Sequence, residues 1–174
     1  MQTVKVKIEG VAPLLMNKFG MEGSDETKAK RRDEQYNTKE DAEKALYRDE
    51  KIGCYAPSTW IEACLRDTAK EFKGKGKASL KSTILSSVFV EPEKIALNKK
   101  TYDEIDLRPA VIQRNRIVKA RPRFNSWKIE FKINFNEERV TKETLEQILK
   151  EAGATKGIGD YRPKFGRFKV VEFK

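Results

Sequence analysis

Hydrophobic and polar positions alternate most regularly in two stretches of the chain. Val4, Val6 and Ile8 alternate with Lys5, Lys7 and Glu9; Trp127, Ile129, Phe131, Ile133 and Phe135 alternate with Lys128, Glu130, Lys132 and Asn134. A period of two puts each set on one face of a half-buried strand and assigns Trp127 to the core. Val88–Val90, Ile105–Gln113, Ile117–Phe124 and Arg167–Phe173 read as further strands, the middle two also as arms of one long hairpin. Gly10–Phe19, with Pro13, Leu14, Leu15 and Met16, reads as an apolar loop leaving the first strand, and Tyr47–Tyr55 as a small hairpin.

Helical spacing takes over at Ile61, Cys64, Leu65, Thr68 and Phe72, after an entry at Pro57-Ser58-Thr59. Thr59 and Glu62 have capping-box spacing, with Ser58 a competing cap. Lys73-Gly-Lys-Gly-Lys77 ends this helix, and Ala78–Val88 reads as a short helix entering a strand. A second long helix starts at a Thr141 cap, carries Leu145, Ile148, Leu149 and Ala152, and has Gly153 as its stop residue. A Gly-rich loop, Gly157–Gly166, leads to the last strand.

With the hairpins set aside, the order is βαββαβ. It predicts an α+β, ferredoxin-like (RRM-like) core with a Gly-rich loop before the last strand and a charged insertion after the first. Such a core puts two helices on one sheet face and leaves the other free. The expectation is one domain over residues 1–174, with a flexible insertion at 20–46. Ser24–Glu50 holds nine acids and seven bases, with Glu40–Leu46 its most helix-like part.

Composition changes the picture in two ways. Lys+Arg is 37 against 27 Asp+Glu, a formal charge of +10, and the insertion is nearly balanced, so the excess lies elsewhere. Histidine is absent, which removes the commonest general base and metal ligand. Cys54 and Cys64 are too few for a disulfide framework or, without His, a zinc site; they read as reduced thiols packed as small hydrophobes in a cytoplasmic protein. The chain opens on a strand pattern rather than a signal peptide, and no apolar run nears the ~20 residues of a membrane span. No membrane and no cofactor or metal are expected.

The positive charge is clustered. Arg108, Arg114, Arg116, Lys119, Arg121 and Arg123 lie within sixteen residues that contain no acid, beside Phe124 and Trp127. Cations neutralise phosphates, and aromatic faces stack unpaired bases. The plain alternative is a solvated face whose arginines pair with acids elsewhere. Lys73, Lys75, Lys77 and Lys81, with Gly74 and Gly76, form a second cluster, but not a Walker A loop. The third is Gly157-Ile-Gly-Asp-Tyr-Arg-Pro-Lys-Phe-Gly-Arg-Phe168. Here Gly157, Gly159 and Gly166 allow close backbone approach, and exposed N–H groups with Arg162, Lys164 and Arg167 suit phosphates. Its alternative is a tight connection packed on the core.

These features carry a resemblance. A ferredoxin-like chain with Gly157-x-Gly159 and Gly166-Arg-Phe168 between its last helix and last strand resembles the RAMP superfamily, which includes backbone subunits of CRISPR effector complexes. Val4–Met16, a first strand running into an Ala-Pro-Leu turn, looks like a RAMP start. Pro13–Met16, Pro57–Ile61, Arg121–Trp127 and Gly157–Pro163 are similar to segments of small phage- and prophage-encoded proteins of this type. The loop departs from the fuller motif in having Phe168 where a terminal glycine stands.

The resemblance implies a non-catalytic protein that binds single-stranded RNA or DNA and assembles side by side along the strand, as a homo-oligomer or a subunit of a larger nucleoprotein complex. The setting it implies is phage, mobile-element or CRISPR-related. Arg114, Arg116, Lys119, Arg121 and Arg123 would grip the backbone, Lys73, Lys75 and Lys77 would form a flap, and Arg162 and Lys164 would add contacts. Tyr55, Phe124 and Trp60 are the stacking candidates, each with a competing core role. One alternative is a metal-independent RAMP-type endoribonuclease using Tyr161 and Lys164; another is a structural subunit whose basic face meets an acidic protein. Asp103, Glu104 and Asp106, the best acidic group, read as a solvated loop, and Asp160 as a turn or ion-pair residue.

Overall fold

Strand β1 (Gln2–Gly10) buries Val4, Val6 and Ile8 and exposes Lys5 and Glu9, as its alternation requires. The computed structural model describes residues 1–18, 38–74, 76, 78–112 and 115–174, without the side chains of 110–117. The expected flexible insertion falls largely on residues 19–37, outside this description. Beyond β1, Leu14–Leu15 is not a loop but a two-residue strand, β2. Helix α1 is Thr38–Lys44, and the Lys18 N–H donates to the Ala45 carbonyl at 2.8 Å.

The small hairpin is β3 (Arg48–Asp49) and β4 (Gly53–Pro57), extended by β6 (Lys94–Ala96). Between them come α2 (Ser58–Thr68), α3 (Lys81–Ser87) and β5 (Val88–Glu91). The long hairpin is β7 (Glu104–Ile112) and β8 (Asn115–Phe124), with β2 on its β8 edge. The chain ends with β9 (Lys128–Phe135), α4 (Lys142–Thr155) and β10 (Phe168–Phe173). The protein is thus α+β with antiparallel sheets. Its largest sheet has four strands in the order β10–β1–β9–β5.

One core joins this sheet to the helices. Ile61, Cys64 and Leu65 of α2 and Leu145, Ile148, Leu149 and Ala152 of α4 are buried with Val4, Val6, Ile8, Ile129, Phe131 and Ile133. Each Val, Leu, Ile or Phe among them contributes about 1.5–3 kcal/mol by leaving water. Trp127 is buried and donates its indole N–H to the Ala12 carbonyl at 2.9 Å.

Two local expectations are corrected. The Thr59–Glu62 capping box does not form: α2 starts after Pro57 with no side-chain cap, and the Glu62 carboxylate accepts from the Val90 N–H at 3.0 Å, satisfying a donor of β5. Thr141 does cap α4, accepting from the Thr144 N–H at 3.3 Å, but Gly153 lies inside that helix rather than beyond it. A Cβ there would meet the carbonyl of Phe168, so packing against β10 explains this glycine, and Gly157 follows the C-cap instead.

Both cysteines are free and buried. Burial raises both thiols, Cys64 to about 12 from an ordinary 9.0. At pH 8 neither thiol is expected to react with a disulfide reagent until denaturant is added. Above pH 9 an unfolded Cys64 loses its proton while the folded one keeps it. Its contribution to stability is therefore complete below pH 9 and is lost as pH rises toward 12. Cys64→Ala should show a shallower decline in urea melts across that window.

Candidate nucleic-acid interface

The long hairpin has a charged face. Its register sets Glu104 opposite Arg123, Asp106 opposite Arg121 and Arg108 opposite Lys119. The acid-free run is therefore supplied with acids by the strand it pairs with. Asp106 is buried, not part of a solvated loop. It takes the Arg108 Nε and Nη2 at 2.6 and 3.1 Å and lies 3.8 Å from Arg123. This bidentate bond raises the Arg108 guanidinium further above its ordinary value. Asp103 pairs with Lys99 at 2.9 Å.

Arg121 is likewise not a surface cation. Its side chain is 7% exposed and its Nε donates to Asp160 at 2.6 Å. Asp160 is the ion-pair residue its position predicts. The pair joins β8 to the Gly-rich loop, and aromatic rings complete the joint. Arg121, Tyr161, Arg108, Phe165 and Arg123 alternate guanidinium and ring, with cation-to-centroid distances of 5.7, 5.2, 4.7 and 5.9 Å in that order. Such contacts are worth about 0.5–1 kcal/mol each where water reaches them. Sequence reasoning missed Phe165, although two aromatics four residues apart in a cationic loop were its signal.

The Gly-rich loop is closed on the protein by five of its backbone N–H groups. Gly157 donates to Ala152, Ile158 to Gly166, Asp160 to Leu15, Phe165 to Tyr161 and Gly166 to Pro13. A Cβ on Gly159 would stand 2.6 Å from the Leu15 carbonyl oxygen. The glycines let the loop pack on the β1 exit, which is the tight-connection alternative. The loop's cations remain outside: Arg162, Lys164 and Arg167 are exposed and form no ion pair among the described residues.

Of the other candidates, Lys119 is half-buried, and Lys73 and Lys81 are exposed; none has an ion pair among the described residues. Lys73 forms a bridge with Ser79. Just before it, Glu71 pairs with Lys156 at 2.6 Å, tying this turn to the end of α4. Asp67 sits near the same place; Lys70 chiefly, then Arg66 and Arg162, hold its carboxyl below the ordinary value. Lys75, Lys77, Arg114 and the Arg116 side chain lie outside the described residues. The proposed stackers are engaged elsewhere. Phe124 is fully buried, Trp60 and Tyr55 meet Tyr47 edge-on at 5.2 and 5.6 Å, and Lys94 covers Tyr55.

The open face of the four-stranded sheet alternates charge in two of its rows, while Lys5 and Lys132 stand opposite each other as like charges in a third. Lys128, Glu9 and Lys169 form one cross-strand row and Glu130, Lys7 and Glu172 the next. Lys7 pairs with Glu130 at 2.6 Å and Lys169 with Glu9 at 3.1 Å. Opposite charges placed side by side stabilise these two rows. Among the described residues no three His, Cys, Asp or Glu side chains converge on a metal site, and no helix is long and apolar enough to cross a membrane.

The fold and its charge together define an α+β protein with exposed, unpaired cations on the Gly-rich loop, and with others, such as Lys5, Lys128, Lys132 and Arg139, on the sheet face and the turns. No protein-family model and no curated protein matches the sequence. Among solved structures, the chain is similar to one in the cryo-EM structure of the Type III-B Cmr-beta bound to cognate target RNA. The TM-score is 0.61 at 10% sequence identity, and the match covers 99% of this chain and 59% of that one. At this identity the likeness is one of fold, and this chain spans well under two thirds of its neighbour.

Proposed function

We propose that this protein is a RAMP-like, non-catalytic binder of single-stranded nucleic acid, RNA first, that serves as a subunit of a larger CRISPR- or phage-related nucleoprotein assembly. The observation that carries the reading is the unpaired trio Arg162, Lys164 and Arg167, exposed beside a hairpin root whose own arginines are neutralised. The strand order β10–β1–β9–β5, with α2 and α4 as crossovers, supports a ferredoxin-like core in a single domain. The fold likeness to a chain of an RNA-bound Cmr-beta structure supports RNA as ligand and a multi-subunit setting. Arg114, Arg116, Lys75 and Lys77 stay candidates on sequence grounds. Lys73, Lys81 and Lys119 join the trio as contacts.

Binding of a labelled single-stranded RNA should weaken steeply with salt, each neutralised phosphate adding about −0.7 to the log–log slope. The triple variant Arg162→Ala, Lys164→Ala, Arg167→Ala should make that slope shallower by about 2. Lys7→Ala and Lys169→Ala, whose cations are held in ion pairs with Glu130 and Glu9, should leave it unchanged. A flat salt response in the parent protein sinks the reading. Light scattering with RNAs of increasing length tests assembly: particle mass should grow with strand length.

A further inference from the structure

Tyr161 combines three features found together nowhere else among the described residues. It is a non-glycine residue in the left-handed region, with φ of 59°. It is an aromatic side chain that is 44% exposed. Exposed, unpaired cations stand at Arg162 and Lys164 in the same loop. A bulky residue at positive φ is strained, and such strain persists where the surroundings enforce a side-chain position. What enforces it here is the hairpin. Arg108 and Arg121 project from one face of β7 and β8, and both guanidiniums meet the tyrosine ring from that side, at 5.2 and 5.7 Å. The ring rests on two cations and edge-on against Phe165 at 6.0 Å, and the residue keeps 44% of its surface in solvent.

We propose that Tyr161 is a base-stacking platform for single-stranded RNA, with Arg162 and Lys164 taking the flanking phosphates. This rests on the nucleic-acid reading above and adds to it the point where a base, rather than the backbone, is engaged. An exposed ring between cations is the arrangement that holds a strand without reading its sequence, because every base has a π-face. Guanidiniums behind the ring fix its plane before the base arrives, which lowers the ordering cost of binding. The phenolic hydroxyl has no part in stacking.

The test uses two oligonucleotides, an oligouridine strand and one of the same length whose sugars lack bases. Tyr161→Gly removes the ring and suits the backbone, since glycine adopts positive φ without strain, so the variant stays folded. It should bind the oligouridine about 5- to 100-fold more weakly than the parent, with the salt slope unchanged. On the abasic strand the two proteins should bind alike, and Tyr161→Phe should match the parent on both. Equal affinity of parent and Tyr161→Gly for oligouridine overturns the platform. So does an equal loss on both strands, which would assign the ring a purely structural role. A loss in Tyr161→Phe as large as in Tyr161→Gly overturns it in favour of a role for the hydroxyl. A parent protein that binds neither strand at low salt removes the nucleic-acid reading itself.

Discussion

Gly166→Ala is expected to destabilise the protein by more than about 4 kcal/mol, the range reserved for a broken structural device. Gly166 has φ of 74°, where an L side chain costs about 1–2 kcal/mol by itself. A Cβ would in addition overlap the carbonyl of Ile158, and that segment cannot retreat. The Ile158 N–H is bonded to the Gly166 carbonyl at 2.9 Å, and the Gly166 N–H to Pro13 at 2.8 Å. Gly76 is the internal control. It has φ of 87° with nothing within 4 Å of a Cβ, so Gly76→Ala should cost only the strain, about 1–2 kcal/mol. For a chain of this size 1 kcal/mol moves the melting midpoint by about 2–4 °C, so the two variants should separate clearly in a thermal melt. Equal losses would mean that close approach does not hold the loop.

Arg121→Ala should cost about 3 kcal/mol, and for a reason unrelated to nucleic acid. The guanidinium is almost wholly buried, bonded to Asp160 and under the Tyr161 ring. Deleting it removes the ion pair, a cation–ring contact and the packing of a long side chain. Asp160 is 32% exposed and can rehydrate, which keeps the loss at the lower end for a broken buried pair. Arg121→Lys should rescue little, because one ammonium cannot offer the planar fork that bonds and stacks together. A double-mutant cycle with Asp160→Asn, read from urea melts, should give a coupling above about 1 kcal/mol. An Arg121→Ala protein with an unchanged midpoint and a shallower salt slope would instead make Arg121 a surface phosphate contact.

The elements were legible in the sequence where the period was long. β1 and β9 alternate without a break, and α4 carries both its stripe and its Thr141 cap. What escaped was set by partners distant in the chain. Glu62 belongs by spacing to a capping box, yet its carboxylate finds the Val90 N–H 28 residues away. Local periodicity carries no information about that choice. The charged hairpin shows the same limit. Arg108–Arg123 looks acid-free when read along the chain, and only the antiparallel register brings Glu104 and Asp106 to Arg123, while Arg121 finds Asp160 of the Gly-rich loop. Pairing Ile112 with Asn115 fixes that register. The Gly-rich loop was correctly marked as special, but its glycines fit packing against Leu15 and Ile158 rather than an exposed cradle. Candidate phosphate contacts survive where no such partner exists, at Arg162, Lys164 and Arg167.

The seating of Trp127 reaches into the history of the chain. Its indole occupies the space that a Cβ on Gly10 would fill. Neither position is free to drift alone: any side chain at 10 displaces the ring, and a smaller residue at 127 leaves a hole beside the first strand and an unbonded Ala12 carbonyl. Descendants should keep the glycine–tryptophan pair or exchange both members together. Joint retention of these two residues, 117 positions apart, is a mark by which remote kin of this fold can be told from chains that share only its strand order.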